Sequence, residues 1–476
     1  MRSTRIATAD PTMMSACELL AAYASKELSP VEVTRAVLAR IAEDNVKVNA
    51  FCLVDEAAAL HAASESEARW HAGKPIGLCD GVPATVKELL LARHWPTLRC
   101  SRVIDREQAW TEDAPSVALL RAHGAVLLGK TTSPEFGWKG VTDSPLYGVT
   151  RNPWDLSRTP GGSSGGAAAA AALGMGALHL GTDGGGSIRI PAAFTGIFGL
   201  KPSYGRVPVY PPSAFGTTSH VGPMTRTVED AALMLTILSG WDARDWLALP
   251  RDQRDYSVGL HAGVRGLRIA YSPTLGYATV EPEIASLVER AVRRFEELGA
   301  HVELVECVIE DPTEIFRKHW YTGAALAVAA IPVAKRSLMD QGLIEIVAAG
   351  ECLAHMDYMH AVAARAQLGV RMSLFHERYD LLITPAMPIA AFSAALQVPE
   401  PTRQRNWIDW TPFTYPFNLT HQPAATMPCG LTRQGMPVAM QIVGAVHEDV
   451  LVLRAARAFE SLQPILTPQL PLLPVG

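Results

Sequence analysis

Hydrophobic positions follow a helical period along much of the chain and form short continuous apolar runs between these stretches. The helical pattern predicts helices over residues 33–45, 55–73, 113–123, 227–240, 282–299 and 447–461, and a mainly helical segment over 312–378. The apolar runs predict strands over residues 48–54, 81–90, 125–129, 267–272, 301–306, 380–386 and 437–444. The first helix is expected to start at Pro30, because Ser29 and Glu32 have the spacing of a capping box.

Helices and strands alternate, which is typical of sheets that are covered by helices on both faces. We therefore predict an α/β fold with a central mixed, mostly parallel twisted β-sheet and helices on both of its faces. No polar linker, shift of composition or internal repeat divides the sequence. Residues 1–476 are accordingly expected to form a single large domain.

Composition excludes several classes of protein. Hydrophobic residues at 48% and charged residues at 19% indicate a globular chain with a large core, and a formal charge of −5 offers no basic surface for nucleic acid. The sequence has neither an apolar run long enough to span a bilayer nor, within residues 1–20, the apolar core of a signal peptide. The seven cysteines are scattered without a CxxC pair, which fits neither a disulfide framework nor a metal cluster. We therefore expect reduced thiols, a cytoplasmic protein and no membrane partner.

Two local motifs match patterns whose structural context is missing. Residues 124–131 (GAVLLGKT) match the phosphate-loop pattern, but Ala-Val-Leu-Leu favours a strand and a proline follows closely, so nucleotide binding is not expected. Residues 161–165 (GGSSG) match the nucleophile elbow GxSxG, yet the chain reaches them through a polar loop that contains prolines instead of a strand. The elbow is therefore discounted, although the serines stay candidates for chemistry.

The stretch 161–191 concentrates the candidate chemistry. Two glycine-rich loops with central serines, Ser163 and Ser187, flank an alanine-rich helix and a short apolar strand. Glycine at this density indicates backbone that turns tightly or closely approaches a ligand. Both serines are predicted to precede a helix, where backbone N–H groups point outward, and this arrangement suits a hydroxyl nucleophile beside an oxyanion hole.

Several separate motifs resemble those of the amidase signature family, in the order that the family has them. They are GGSSGG, GTDGGGSIRIPA and GLKPS within residues 161–203, GVPATVKELL at 81–90, and the segments around 133–155 and 422–444. The resemblance implies one amidase domain over residues 1–476, with the signature core at about 75–205 and a helical excursion at about 312–378. Glu88 departs from the family pattern, in which aspartate often follows the lysine.

The resemblance also assigns roles to residues. Ser187 becomes the acylated nucleophile, Ser163 the bridging serine after a cis peptide bond, and Lys87 the base. The backbone amides of Gly184, Gly185, Gly186 and Ser187 would form the oxyanion hole. Asp183, Arg189 and Ser164 would support the loops.

A lysine base has to be uncharged to accept a proton. Serine alone is a poor nucleophile and needs a base within hydrogen-bond reach. The ordinary lysine pKa of about 10.4 must therefore fall by roughly 3 units, and burial shifts it in that direction. Lys87 is accordingly expected to be buried beside the two serines.

Aromatic residues are the candidates for an apolar acyl pocket. Trp138, Trp320, Tyr321, Phe413 and Tyr415 suggest a site for aryl or medium aliphatic amides. Each of them is as readily explained by ordinary packing. No arginine is predicted to bind a substrate carboxylate, because Arg189 is assigned to loop support.

The sequence thus predicts an amidase that hydrolyses a small carboxylic amide to an acid and ammonia or an amine, with esterase side activity. The alternative is the glutaminase (A) subunit of a tRNA-dependent amidotransferase, which shares the signature. Neither a metal nor an organic cofactor is implied. The family resemblance implies a homodimer, and the expected partner is a small-molecule amide.

Overall fold

The computed structural model describes residues 10–251 and 253–470. Both ends of the expected 1–476 domain, and with them residues 1–9 of the segment 1–20, lie outside the described residues. The strands are β1 (Phe51–Val54), β2 (Pro83–Lys87), β3 (Val126–Thr131), β4 (Asp143–Ser144), β5 (Gly148–Val149), β6 (Leu178–Asp183), β7 (Phe198–Lys201), β8 (His220–Thr225), β9 (Arg268–Tyr271), β10 (His301–Leu304), β11 (Leu381–Pro385), β12 (Ala424–Leu431) and β13 (Pro437–Gly444).

The helices account for most of the remaining regular structure. They are α1 (Ala16–Ser25), α2 (Pro30–Val48), α3 (Glu56–His71), α4 (Pro115–Ala122), α5 (Gly165–Ala172), α6 (Arg189–Thr195), α7 (Val228–Leu238), α8 (Pro282–Glu297), α9 (Thr313–Val328), α10 (Gln341–Glu351), α11 (His355–Arg378), α12 (Pro416–Leu419) and α13 (Asp449–Leu462). The predicted capping box is present, since Glu32 N donates to Ser29 Oγ at 3.1 Å and Ser29 N donates to Glu32 Oε2 at 2.8 Å.

Eleven strands form one mixed sheet in the order β1-β3-β2-β6-β8-β7-β12-β13-β11-β9-β10, and β4 pairs with β5 separately. Within the described chain the parallel pairs are β2–β3, β2–β6, β9–β10 and β9–β11. The other six pairs of this sheet are antiparallel. Most of these involve β7, β8 or β12, three strands that were not predicted from the sequence. Glycine and proline interrupt the apolar pattern of β8 and β12.

The core lies on both faces of this sheet. Along β11, Leu381 and Ile383 belong to one hydrophobic cluster and Leu382 belongs to the other, as the alternation of side chains in a strand requires. Helices α2, α7, α8 and α13 contribute to the first cluster, and α9, α10 and α11 contribute to the second. The predicted α/β fold with a mixed sheet covered by helices is therefore confirmed. Within the described chain, antiparallel pairs outnumber the parallel pairs that the alternation of helices and strands predicted, because β7, β8 and β12 add four antiparallel pairs.

Two further predictions have structural outcomes. The segment 124–131 contains strand β3 and not a phosphate loop, and the buried Lys130 donates through Nζ to Pro96 O at 2.9 Å. Residues 312–378 hold α9, α10, α11 and a 3-10 helix at Val333–Leu338. Within residues 10–251 and 253–470, no helix combines the length and apolar character that a membrane crossing needs.

Candidate active site

Lys87 is the last residue of β2, which lies between β3 and β6 in the sheet. Its side chain is 0% exposed. The amine Nζ lies 2.7 Å from Ser163 Oγ, 2.8 Å from Ser164 Oγ and 2.9 Å from Thr182 Oγ1. Burial lowers the pKa of Lys87 to about 7, because a buried ammonium loses its hydration. A large fraction of this amine is therefore uncharged near neutral pH.

The hydrogen bonds of Ser164 limit how Lys87 shares its protons. Ser164 Oγ lies 3.2 Å from Thr182 O, to which it donates, and it accepts from Thr182 N at 3.2 Å. The one hydroxyl proton of Ser164 is thus used, so Ser164 accepts from Lys87. An uncharged amine has two N–H donors and one lone pair. Donation to Ser164 therefore leaves the lone pair available to the hydroxyl of Ser163 or Thr182.

Ser163 and Ser187 lie on two loops that contact each other. Ser164 N donates to Ser187 O at 3.0 Å, and the peptide bond Gly162–Ser163 is cis, as the resemblance implied. Ser163 is 1% exposed and Ser187 is 5% exposed. Both side chains line the same cavity, so the two hydroxyls that the sequence singled out share one site.

This cavity, which we call the serine cavity, has a volume of about 270 Å³. Its lining residues are Leu89, Leu90, Arg99, Phe136, Gly137, Ser163, Thr182, Gly184, Ser187, residues 209–215, Ser219, Val221, Trp320, Leu326 and Ala327. Most of these side chains are apolar, and the hydroxyls of Ser163, Thr182 and Ser187 are grouped with them. A small organic molecule with an apolar body fits this composition.

Asp183 organises the loop that carries Ser187. Its carboxylate accepts from Gly186 N at 2.8 Å, from Ile188 N at 3.1 Å, and from Arg189 through Nε at 3.0 Å and Nη2 at 2.9 Å. Asp183 and Arg189 are both 0% exposed. Burial alone would raise the pKa of Asp183, but the charge and hydrogen bonds of Arg189 hold this pKa well below its usual value. The predicted support residues thus form a buried ion pair that shapes the loop.

The four backbone amides predicted to form the oxyanion hole, at positions 184–187, divide into two groups. Gly186 N donates to Asp183, so this amide holds the loop together and is not free for an oxyanion, contrary to our expectation. In the described part of the chain, no hydrogen bond from the amides of Gly184, Gly185 or Ser187 to a protein acceptor is found. A side chain at position 186 would not fit, because φ is +130° there and a Cβ would lie 2.4 Å from Thr414 Oγ1.

Of the five predicted aromatic residues, the structure places Trp320 in the serine cavity. Trp138 and Tyr321 line a separate cavity, and Tyr415 lines a third. Phe413 is fully buried, and its carbonyl accepts from Gln441 Nε2 at 2.8 Å. The structure therefore does not bring these four residues to the two serines.

Other residues of the site were missed in the sequence. Thr182 contacts Lys87, and its place directly before Asp183 in the GTDGGGS motif was a usable signal. Phe215 stacks on Trp320 with 4.0 Å between ring centroids, and Asn418 Nδ2 donates to Asp183 Oδ1 at 2.8 Å. The contacts of Phe215 and Asn418 join residues that are far apart in the sequence, so no local sequence pattern predicts them.

Comparisons with known proteins identify the family of this chain. The amidase family model matches residues 32–453. The acylamidase of Rhodococcus erythropolis is 38% identical over 95% of this chain and 96% of that protein. The A subunit of the glutamyl-tRNA(Gln) amidotransferase of Myxococcus xanthus (strain DK1622) is 36% identical over 94% of this chain and 97% of that protein. Among solved structures, a bacterial aryl acylamidase of the amidase signature family has a TM-score of 0.89 at 32% identity, covering 95% of this chain and 96% of that one.

These matches cover nearly the whole chain, and the resemblance seen in the sequence is confirmed. The chain belongs to the amidase signature family, and it is an amide hydrolase.

The substitution Asp183→Asn tests the loop support. It leaves Arg189 buried without its countercharge, so we expect the free energy of unfolding to fall by about 3–5 kcal/mol. Because the pKa of Asp183 is lower in the folded than in the unfolded chain, its contribution is present at neutral pH and is lost as the pH falls below about 4. Denaturant unfolding at several pH values measures both effects.

The matched control is Glu289→Gln, which breaks an ion pair with Arg293 whose side chains are 52% and 67% exposed. Its loss should not exceed about 1 kcal/mol. Equal losses for the two variants would contradict the assigned role of Asp183.

Proposed function

We propose that this chain hydrolyses the C–N bond of a small aryl or aliphatic carboxylic amide through an acyl-enzyme on Ser187. The observation that carries the proposal is the buried amine of Lys87, which lies among three hydroxyls with a pKa of about 7. An uncharged buried amine is a competent base, whereas an exposed lysine would be protonated and inert.

Proton transfer follows the order of the side chains. Lys87 accepts the proton of Ser163, and Ser163 accepts the proton of Ser187 as the Ser187 oxygen attacks the amide carbonyl. The distance of 2.7 Å between Lys87 Nζ and Ser163 Oγ supports the first transfer. The second is supported by the presence of both serines in the serine cavity.

The developing negative charge on the carbonyl oxygen needs donors that are already in place. The amides of Gly184, Gly185 and Ser187 are the candidates, because Gly186 N is bound to Asp183. Ser163 then returns a proton to the amide nitrogen, which leaves poorly unless it is protonated. The C–N bond breaks, ammonia or an amine departs, and water repeats the sequence to release the acid from Ser187. The same route cleaves esters, so esterase side activity is part of the proposal.

Apolar side chains in the lining of the serine cavity, such as Phe136, Phe215 and Trp320, and the similarity to acylamidases favour anilides and related small amides as substrates. The alternative, a glutaminase component of an amidotransferase, is favoured by the 36% identity to that protein from Myxococcus xanthus. Glutamine carries an α-ammonium group, which a carboxylate would normally bind. The described residues that line the serine cavity include no aspartate or glutamate. Ammonia release from glutamine, compared with amine release from anilides, separates the two functions. The homodimer and the cytoplasmic location stay predictions.

The nucleophile is tested by Ser187→Ala. Wild-type protein treated with a sulfonyl fluoride should carry one adduct, which peptide mass spectrometry places on Ser187, and the variant should carry none while its amide hydrolysis is lost. Ser219→Ala removes another hydroxyl from the same cavity and should still form the adduct. Hydrolysis by Ser187→Ala at the wild-type rate would refute the proposed acyl-enzyme.

The base is tested by the dependence of kcat/KM on pH. Since the uncharged amine is the active form, kcat/KM should rise with pH along a limb with an apparent pKa of about 7. Lys87→Met should remove this limb and lower kcat/KM by about 10²–10⁴-fold.

A second group could titrate in the same range, because burial raises the pKa of Glu88 to about 7. Glu88→Gln is therefore the control, and the limb should persist in that variant. A limb that survives in Lys87→Met, or that disappears with Glu88→Gln alone, would contradict the assignment of the base to Lys87.

A further inference from the structure

Arg99 is the one charged side chain among the described residues that line the serine cavity. The sequence predicted no arginine that would bind a substrate carboxylate, whereas the structure places Arg99 in the cavity of the two serines. Arg99 is exposed, and among the described residues no carboxylate lies within ion-pair distance of its guanidinium. The cavity of the two serines thus contains a positive charge that no carboxylate pairs with directly, since the carboxylate that acts on Arg99, that of Glu88, is bound to the backbone amides of Leu98 and Cys100.

The backbone of this arginine is held by the residue that follows the proposed base. Glu88, which is 1% exposed, accepts from Leu98 N at 2.5 Å and from Cys100 N at 2.9 Å. Arg99 and Cys100 both have positive φ angles, +52° and +53°. The carboxylate of Glu88 therefore fixes the backbone on both sides of Arg99.

A second contact holds the guanidinium against another residue that lines the serine cavity. Arg99 Cζ lies 5.7 Å from the centroid of the Phe136 ring, and Phe136 N donates to Arg99 O at 2.9 Å. The next residue, Gly137, is so near the site that a Cβ built on it would lie 3.4 Å from Ser163 Oγ. Phe136 thus links the arginine to the wall of the cavity that carries Ser163.

We propose that Arg99 binds a carboxylate carried by the substrate, so that the preferred amides combine an apolar part with a negative charge. This inference rests on the proposed function. A guanidinium forms paired hydrogen bonds with a carboxylate, which are stronger than hydrogen bonds between neutral groups. The contact with the Phe136 ring engages none of the N–H donors of the guanidinium in an ion pair, so they can serve such a partner.

The experiment compares amides of equal shape that differ in charge. In one arm the charge is on the acyl side, and succinyl 4-nitroanilide is compared with its neutral isostere 4-methylpentanoyl 4-nitroanilide. In the other arm it is on the amine side, and 4-acetamidobenzoate is compared with 4-isopropylacetanilide. We expect the wild-type kcat/KM to favour the charged member of at least one pair by about tenfold or more, and this ratio to fall as ionic strength rises.

Arg99→Met should abolish that preference, and Arg99→Lys should retain part of it, since lysine keeps the charge but not the paired donors. The matched control is Arg102→Met, which removes an exposed arginine of the same loop that does not line the cavity. Its charged-to-neutral ratio should equal that of the wild type.

A wild-type enzyme that hydrolyses the neutral amides at least as well in both arms would overturn the role of Arg99, and so would an unchanged ratio in Arg99→Met. The proposed function would survive either result. Failure to hydrolyse any of the four amides would instead contradict the proposed function itself.

Discussion

The burial of the Lys87 amine is the constraint on which the rest of the site depends. Three neutral hydroxyls contact Nζ, and none of them supplies the countercharge that a buried ammonium would need. The carboxylate that raises the pKa of Lys87 is that of Asp183, which is itself bound by Arg189. The loss of hydration therefore lowers the pKa of Lys87 more than the charge of Asp183 raises it, and the uncharged amine is favoured. The position of Lys87 at the end of β2, between two parallel neighbours, makes that desolvation possible.

A second constraint fixes the other half of the site. The ion pair of Asp183 and Arg189 connects the Ser187 loop to distant segments, because Arg189 Nη1 donates to Thr414 O at 2.8 Å and to Gln441 Oε1 at 2.7 Å. These contacts leave the Ser187 loop little freedom to move independently. The position of Ser187 thus depends on packing against β13, the strand that carries Gln441. The two halves of the site meet on β6, because Thr182 contacts Lys87 and directly precedes Asp183.

The fold class and the three central side chains could be predicted from the sequence, since they belong to long periodic segments or to dense motifs. Details that depend on side-chain direction could not. Trp320 and Tyr321 are neighbours on α9, and successive residues of a helix point about 100° apart, so one reaches the serine cavity and the other does not. The sequence does not distinguish Gly186 from Gly184 and Gly185, whereas in the structure the amide of Gly186 donates to Asp183. Arg99 was missed because its position depends on the hydrogen bonds that the backbone amides of Leu98 and Cys100 donate to the Glu88 carboxylate.

The most direct test of this account is an NMR titration of the Lys87 amine in protein with isotopically labelled lysine, assigned by comparison with Lys87→Met. We predict that the Lys87 resonance titrates with a pKa of about 7, while exposed lysines titrate near the usual value of about 10.4. A Lys87 pKa at or above that usual value would mean that the amine is charged at neutral pH, and the proposed proton relay would be wrong.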